Sequence, residues 1–371
     1  MSALYFHIPF CKRICAYCDF HRFVDLGAID RVVRAMHREM DETTDFLHDR
    51  KIRTIYFGGG TPSLLPPRDL QRFIDRARRL YDLSELEEVT LEVNPDDVTE
   101  MQVKALKKTD INRISIGIQS FDDRLLRLMN RRHDAQQAER AVRLLQDGGF
   151  ENITVDLIFG FDGFGNEVTE EDLQHILRLG IQHVSAYHLT IEPDTRLGRM
   201  AARGEFFAIS DERSEELFAM IHNTLTANGF EHYEVSNYAR EGFRSRHNSS
   251  YWDGTEYLGI GTGAHSFDGN ERRWSLQTPA EYAEKRVYES ELLTVRDKFN
   301  ELVMTSLRRA EGLDLRIVAE RFGAALTERI LNESRAMKSY GVEVEDNGSR
   351  IRIAPEKMLT SDAVIERLFE I

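Results

Sequence analysis

Over roughly its first two-thirds the chain alternates short β-branched or aromatic runs with longer amphipathic stretches, the pattern of repeated βα units around a parallel sheet. Strands are predicted at residues 4–8, 54–57, 88–93, 113–118, 153–159 and 183–189. Helical periodicity fills the intervals, at 29–46, 68–81, 136–146 and 170–179, and returns at 210–228, with Thr169 and Ser210 as expected caps. Six βα units are too few to close an eightfold barrel, so the expectation is an α/β fold built as a partial (β/α)6 TIM-like barrel, with its working face at the carboxyl ends of the strands.

Residues 233–274 are rich in glycine and aromatic side chains and read as neither good helix nor good strand. Beyond about residue 294 the pattern turns helical, at 298–309, 315–322 and 328–340, and ends in an alternating stretch at 341–354 around Asn347-Gly348, a hairpin signal. Three segments are therefore expected. They are a barrel over 1–232, a connecting segment over 233–293, and a small winged-helix-like α+β domain over 294–371.

Composition bounds the function. Acidic side chains number 63 against 49 basic ones, a formal charge of −14, which argues against a nucleic acid partner because phosphate neutralisation needs a basic face. Arg240, Arg244, Arg246, Arg272 and Arg273 form the best local basic segment, with a solvated charged loop as the alternative. No stretch has the length of a membrane span, and residues 1–10 lack the features of a signal peptide, so the cytoplasm is expected. The chain's 3 cysteines all fall between residues 11 and 18, which rules out a disulfide framework and implies a reducing compartment.

Those thiols carry the chemistry. Cys11, Cys15 and Cys18 form a Cys-x3-Cys-x2-Cys array just after the first predicted strand, able to ligate three irons of a cubane cluster and leave the fourth open. A zinc site completed by His7 or His21 is the competing reading, although structural zinc favours four closed ligands and paired Cys-x2-Cys spacing. Polar or glycine-rich residues follow the other strands as well: Gly58-Gly59-Gly60-Thr61, Glu92 to Pro95, Gln119, Asp156 to Gly160, and His188. Their recurrence at one end of consecutive strands is expected of a site rather than of ordinary turns.

The cysteine array followed by Gly58-Gly59-Gly60-Thr61-Pro62 resembles the signature of the radical S-adenosylmethionine superfamily. That resemblance implies a [4Fe-4S] cluster held by Cys11, Cys15 and Cys18, and S-adenosyl-L-methionine held near Gly59, Gly60 and Thr61. The resemblance extends along nearly the whole chain to the oxygen-independent coproporphyrinogen III oxidase-like branch. On this basis Tyr5, Tyr17, Glu92, Gln119, Arg131 and Asp156 match cofactor-contacting positions. A carboxylate can accept from ribose hydroxyls or an amino group, and Arg131 can pair with a carboxylate.

Within that branch the chain is most similar to HemW-type haem chaperones. Phe20 stands where the dehydrogenase usually has a further cysteine, and the dehydrogenase's N-terminal extension is not expected here. His247-Asn248-Ser249-Ser250-Tyr251-Trp252 matches a His-Asn-x-x-Tyr-Trp motif of the chaperones. The resemblance implies haem binding and transfer to a haem-accepting protein, membrane-associated or not, with a reductant such as flavodoxin or ferredoxin. His247, Tyr251 and Trp252 are the expected haem-contacting residues, nearby arginines would receive the propionates, and His265 is a second donor candidate. For His247 the alternative is a hydrogen-bonded core histidine. The competing function is radical oxidative decarboxylation of coproporphyrinogen. After Asp156 the family pattern Gly-Leu-Pro-x-Gln-Thr is replaced by Gly160 to Glu167, so the loop after the fifth strand departs from it.

Overall fold

A computed structural model describes residues 1–345 and 347–370. The six predicted strands form, as β1 (Ser2–Ile8), β2 (Ile52–Gly59), β3 (Glu88–Val93), β4 (Arg113–Gln119), β5 (Asn152–Phe159) and β6 (His183–His188). They lie side by side in sequence order, every neighbouring pair parallel. One face of each strand is apolar and packs against the helices between strands, as with Phe6, Phe57, Leu91, Ile116 and Val155. The cause is period-two alternation in strands joined by amphipathic crossovers. In the helix Pro67–Leu80, for example, a first-turn proline fits the unbonded end and Phe73 packs on Phe6 at 5.1 Å.

The opposite face is polar and lines the barrel. Tyr5 and His7 on β1 lie on it, with Thr54 and Tyr56 on β2, Glu88, Thr90 and Glu92 on β3, Arg113, Ser115 and Gly117 on β4, and Thr154 and Asp156 on β5. Register sets them level: Glu92 pairs with Ser115, and Gly117 with Asp156.

The glycine- and aromatic-rich segment is more ordered than its composition predicts. It contains β7 (Glu231–Glu234), β8 (Asn237–Ala239), β9 (Tyr257–Ile260), β10 (His265–Phe267) and β11 (Glu271–Trp274), and β12 (Glu289–Leu292) follows. The sheet has 12 strands in the order β12-β11-β10-β9-β1-β2-β3-β4-β5-β6-β8-β7. Strand β9 runs parallel to β1, so residues expected to connect two domains extend the barrel sheet, and a boundary at 232 would cut through β7.

The helix expected at 170–179 begins earlier, at Asn166, so Thr169 lies inside it and caps nothing; Ser210 does cap the helix Asp211–Ala227 by accepting from the Arg213 amide. The C-terminal region has helices Val295–Leu307, Leu315–Phe322 and Ala324–Ala336. A three-stranded sheet joins them, formed by β13 (Leu313–Asp314), β14 (Val342–Val344) and β15 (Arg350–Ile353), with β14 and β15 antiparallel as the hairpin signal implies. Ile371, the last residue of the expected third segment, lies outside the described residues. Among those described, no helix is long and apolar enough to cross a membrane.

Candidate cofactor site at the barrel mouth

The cysteine loop leaves β1 and is tied down on several sides. The Cys11 amide donates to the Phe23 carbonyl at 2.9 Å, the Ala16 amide to Met129 at 2.9 Å, and the Asn130 side chain to the Ile14 carbonyl at 2.7 Å. Arg22 donates to the Cys18 and Phe20 carbonyls. Around the thiols, Thr61 Oγ1 donates to Cys11 Sγ at 3.5 Å and Arg131 Nη1 to Cys15 Sγ at 3.2 Å. Burial raises the Cys18 thiol to about 11.

The loop opens on a cavity of about 470 Å³ at the carboxyl ends of the strands, a size suited to a small-molecule cofactor. All three cysteines line it, with Tyr17, Gly59, Gly60, Thr61, Glu92, Gln119, Arg131 and Asp156. The structure thus brings together nearly every residue proposed for the cluster and cofactor. Tyr5 stands aside: its hydroxyl meets His7 Nδ1 at 3.1 Å and it lines a second, adjoining cavity.

Two carboxyls face one another across this inner surface. Tyr56 donates to Glu92 Oε1 at 2.7 Å and the Gly59 amide to Oε2 at 3.2 Å, yet burial pushes the Glu92 carboxyl up to about 7. Burial likewise lifts Asp156 to about 6, against the Ser115 hydroxyl at 3.3 Å. Gln119 has φ 73° and follows an irregularity in the β4–β5 register, which re-aims its side chain at the mouth.

The glycines have a tighter constraint than ligand access alone. A Cβ on Gly60 would lie 2.7 Å from the Phe10 carbonyl oxygen, and one on Gly59, where φ is 105°, would lie 2.7 Å from the His7 ring. Their absent side chains let β2 pass against the cysteine loop. Ser115 also lines the cavity, though sequence reasoning did not select it, as does Asn94, which it noted only within the stretch Glu92 to Pro95. The available signal was period two: Ser115 and Gly117 precede Gln119 on one face of β4, and Asn94 follows Glu92 by two.

His247 is placed differently from expectation. Its ring is 0% exposed, with Nδ1 against Thr54 Oγ1 at 2.8 Å and Nε2 against Tyr251 Oη at 2.9 Å. Its amide donates to Glu88 Oε1 at 3.0 Å. Thr54 and Glu88 lie near the amino ends of their strands, so the helix Arg246–Trp252 closes the barrel floor, away from the cysteines. With both ring nitrogens engaged and no exposure, His247 offers no lone pair to a haem iron in this conformation, and it is placed as a hydrogen-bonded core residue. Three of the arginines expected to receive propionates are likewise committed, Arg244 to Glu231 and Glu311, Arg246 to Glu87 and Arg272 to Glu301, while Arg273 lies between the Phe46 and Tyr288 rings with Nε and Nη2 unpartnered among the described residues. Trp252 lines neither cavity; Tyr251 lines the second one.

Residues 5–180 match the Radical SAM superfamily model and residues 293–359 match the HemN C-terminal domain. A Lactococcus lactis protein named Heme chaperone HemW is 37% identical over 318 residues, covering 84% of this chain and 83% of its own. The chain belongs to the HemW family of radical SAM proteins. A Mycobacterium tuberculosis HemW protein is 33% identical over 375 residues, covering 98% and 94%. The fold is that of the solved Escherichia coli coproporphyrinogen III oxidase HemN, at a TM-score of 0.82 and 20% identity, over 99% of this chain and 89% of that one.

Membership of the radical SAM superfamily implies a [4Fe-4S] cluster and S-adenosylmethionine, and the donor set fits both. Three undisulfided thiols line one cavity, with Thr61 against Cys11 and Arg131 against Cys15, and a set of three thiolates with an open side suits a cubane that keeps one iron free. Of the two histidines in the zinc alternative, His7 has both nitrogens engaged, on the Tyr5 hydroxyl and the His21 carbonyl, and His21 is anchored through Nε2 on Thr262 and the Gln277 carbonyl.

Proposed function

We propose that this HemW-family chain binds haem and passes it to an acceptor protein, carrying a [4Fe-4S] cluster on Cys11, Cys15 and Cys18 with S-adenosylmethionine beside it. The observation that carries the cofactor part is the convergence of three thiols, Glu92, Asp156 and Arg131 on one cavity. The haem part rests on relatives named Heme chaperone HemW at 33–37% identity over most of the chain.

When bound, the cluster would supply an electron to the cofactor sulfonium. The protein's own residues do the rest. Glu92 and Asp156 accept hydrogen bonds from hydroxyl or amino groups, Arg131 is held by Asn94 at 2.7 Å so that its charge faces Cys15, and Thr61 shields Cys11. The acceptor is a haem-accepting protein, membrane-associated or not, and a flavodoxin or ferredoxin supplies single electrons. Three free cysteines suit a reducing cytoplasm.

The test is anaerobic reconstitution followed by haem titration and transfer to a haem-free acceptor, with coproporphyrinogen assayed in parallel. Haem binding and transfer without decarboxylated product is expected. Catalytic decarboxylation, or failure to bind haem, overturns the proposal.

A further inference from the structure

A second cavity of about 400 Å³ adjoins the first and shares Phe20, Gly59 and Glu92 with it. Its other walls include Tyr251, Tyr257, Leu276 and three histidines, His7, His21 and His265. Two of those rings are anchored: His7 by both nitrogens, on the Tyr5 hydroxyl and the His21 carbonyl, and His21 by Nε2, on Thr262 and the Gln277 carbonyl. His265 differs: it is exposed, and its ring nitrogens have no hydrogen-bond partner among the described residues.

We infer that His265, not His247, is the axial nitrogen donor for haem, and that the porphyrin lies over the second cavity against Phe20 and Leu276. The inference rests on the haem-binding reading above and names its site.

Three features support it. First, the ring is held from behind: it stacks on Trp274 at 5.6 Å and 20°, and the two residues are cross-strand partners in β10 and β11. Second, its mount is rigid. A Cβ on Gly259 would lie 2.1 Å from the His265 carbonyl oxygen, and one on Gly261 or Gly263 would strike His7, so this glycine run packs directly against neighbouring chain. Third, the surroundings match the ligand. Phe20 is 61% and Leu276 54% exposed, large apolar side chains at the rim of a concave surface, which a flat porphyrin face would cover. Although the ring is open to solvent on one side, partial desolvation by the chain packed behind it, with the Arg272 charge adding to it, lowers the His265 pKa and favours the neutral imidazole that binds a metal. Because Glu92 and Gly59 are common to both cavities, the haem would lie beside the cofactor site.

Ferric haem is titrated anaerobically into the cluster-loaded parent, His265→Ala and His247→Ala proteins, with absorption and electron paramagnetic resonance spectra recorded. Cluster loading occupies the cysteines, removing them as competing haem ligands. His265→Ala is expected to shift the haem bands and weaken affinity about tenfold or more, with added imidazole restoring the parent spectrum, at unchanged iron-sulfide content. Folded His247→Ala is expected to keep the parent bands. If the parent binds haem and His265→Ala matches it in bands and affinity, the assignment is overturned while the haem-binding reading stands. A shift in His247→Ala alone overturns it in favour of the floor histidine. A cluster-loaded parent that binds no haem overturns the haem-binding reading itself.

Discussion

Replacing His247 by alanine tests the barrel floor directly. The substitution removes hydrogen bonds of 2.8 Å to Thr54 and 2.9 Å to Tyr251, each worth about 1 kcal/mol net. It leaves two hydroxyls short of a partner, at about 1–3 kcal/mol for each one that finds no other. It also empties the space beside Tyr56, whose ring centroid lies 4.9 Å from that of His247. These contributions overlap, and a deficit of about 3–5 kcal/mol is expected, in the range of large-to-small core substitutions. The deficit depends on pH in a defined direction. Burial, with the Arg113 charge adding to it, lowers the folded-state pKa to about 3 from 6.5. The unfolded chain takes up a proton as pH falls below about 6.5 and the folded chain does not, so the stability His247 contributes is full above that value and is lost on acidification. By about pH 5.5 the loss reaches about 1.4 kcal/mol, and the gap between parent and variant should narrow by that amount from about pH 7.5. Guanidinium unfolding followed by circular dichroism at both pH values measures it. A deficit below about 1 kcal/mol, or a gap that does not change with pH, would refute the enclosed neutral ring.

The mouth gives three further expectations. Cys15→Ala should lose the cluster, read as iron and sulfide after anaerobic reconstitution, and full retention would remove Cys15 from the ligand set. Since burial pushes the Glu92 carboxyl up to about 7 and it accepts best when ionised, S-adenosylmethionine affinity should fall about tenfold between about pH 8 and about pH 6, with the slope abolished in Glu92→Gln; calorimetry showing equal slopes would exclude the role. In Gly60→Ala the new methyl would meet the Phe10 carbonyl oxygen at 2.7 Å, so a stability loss of about 1–3 kcal/mol and lower cluster occupancy are expected, and a parent-like melting temperature with full occupancy would show that the loop yields.

What the sequence made legible follows from where the physics is local. The six barrel strands declare themselves through an apolar face of β-branched and aromatic residues, and the site residues through their places at strand ends. The floor does not. Glu88, Arg113, His183 and His247 are fully or nearly fully buried, and their environment depends on strand register across residues far apart in the chain. Read alone, His247 beside two aromatics and an arginine-rich segment favours a haem ligand over a core residue, and burial that the sequence does not display points the other way. Strands β7 to β11 are short, and β9 carries Gly259, so they lack the alternation that marks a strand, though pairing of β9 with β1 and of β8 with β6 holds them. The expected cap at Thr169 failed because three more residues, Asn166 to Val168, extend the helix toward Gly165, which makes no side-chain cap. A Gly59→Val side chain would reach the His7 ring before any ligand, so that variant could not separate cofactor loss from misfolding.

Floor and mouth are physically joined, which bears on how any motif variant is interpreted. Glu88 Oε2 accepts from the Arg246 amide and Oε1 from the His247 amide, so one buried carboxylate holds the first turn of the plugging helix. Its charge is countered by Arg113, 4.0 Å away and 1% exposed. A buried pair of this kind is poor evidence for net stability, but losing one partner strands the other. From the plug, His247 stacks on Tyr56, and Tyr56 donates to Glu92 at the cavity wall. Glu92 lies four residues beyond Glu88 on one strand face, about 13 Å along β3. A change at His247 therefore reaches the proposed cofactor carboxylate through a single intervening ring. Weakened S-adenosylmethionine binding in a His247 variant would follow from Tyr56 losing its support, and it would not identify His247 as a ligand of anything.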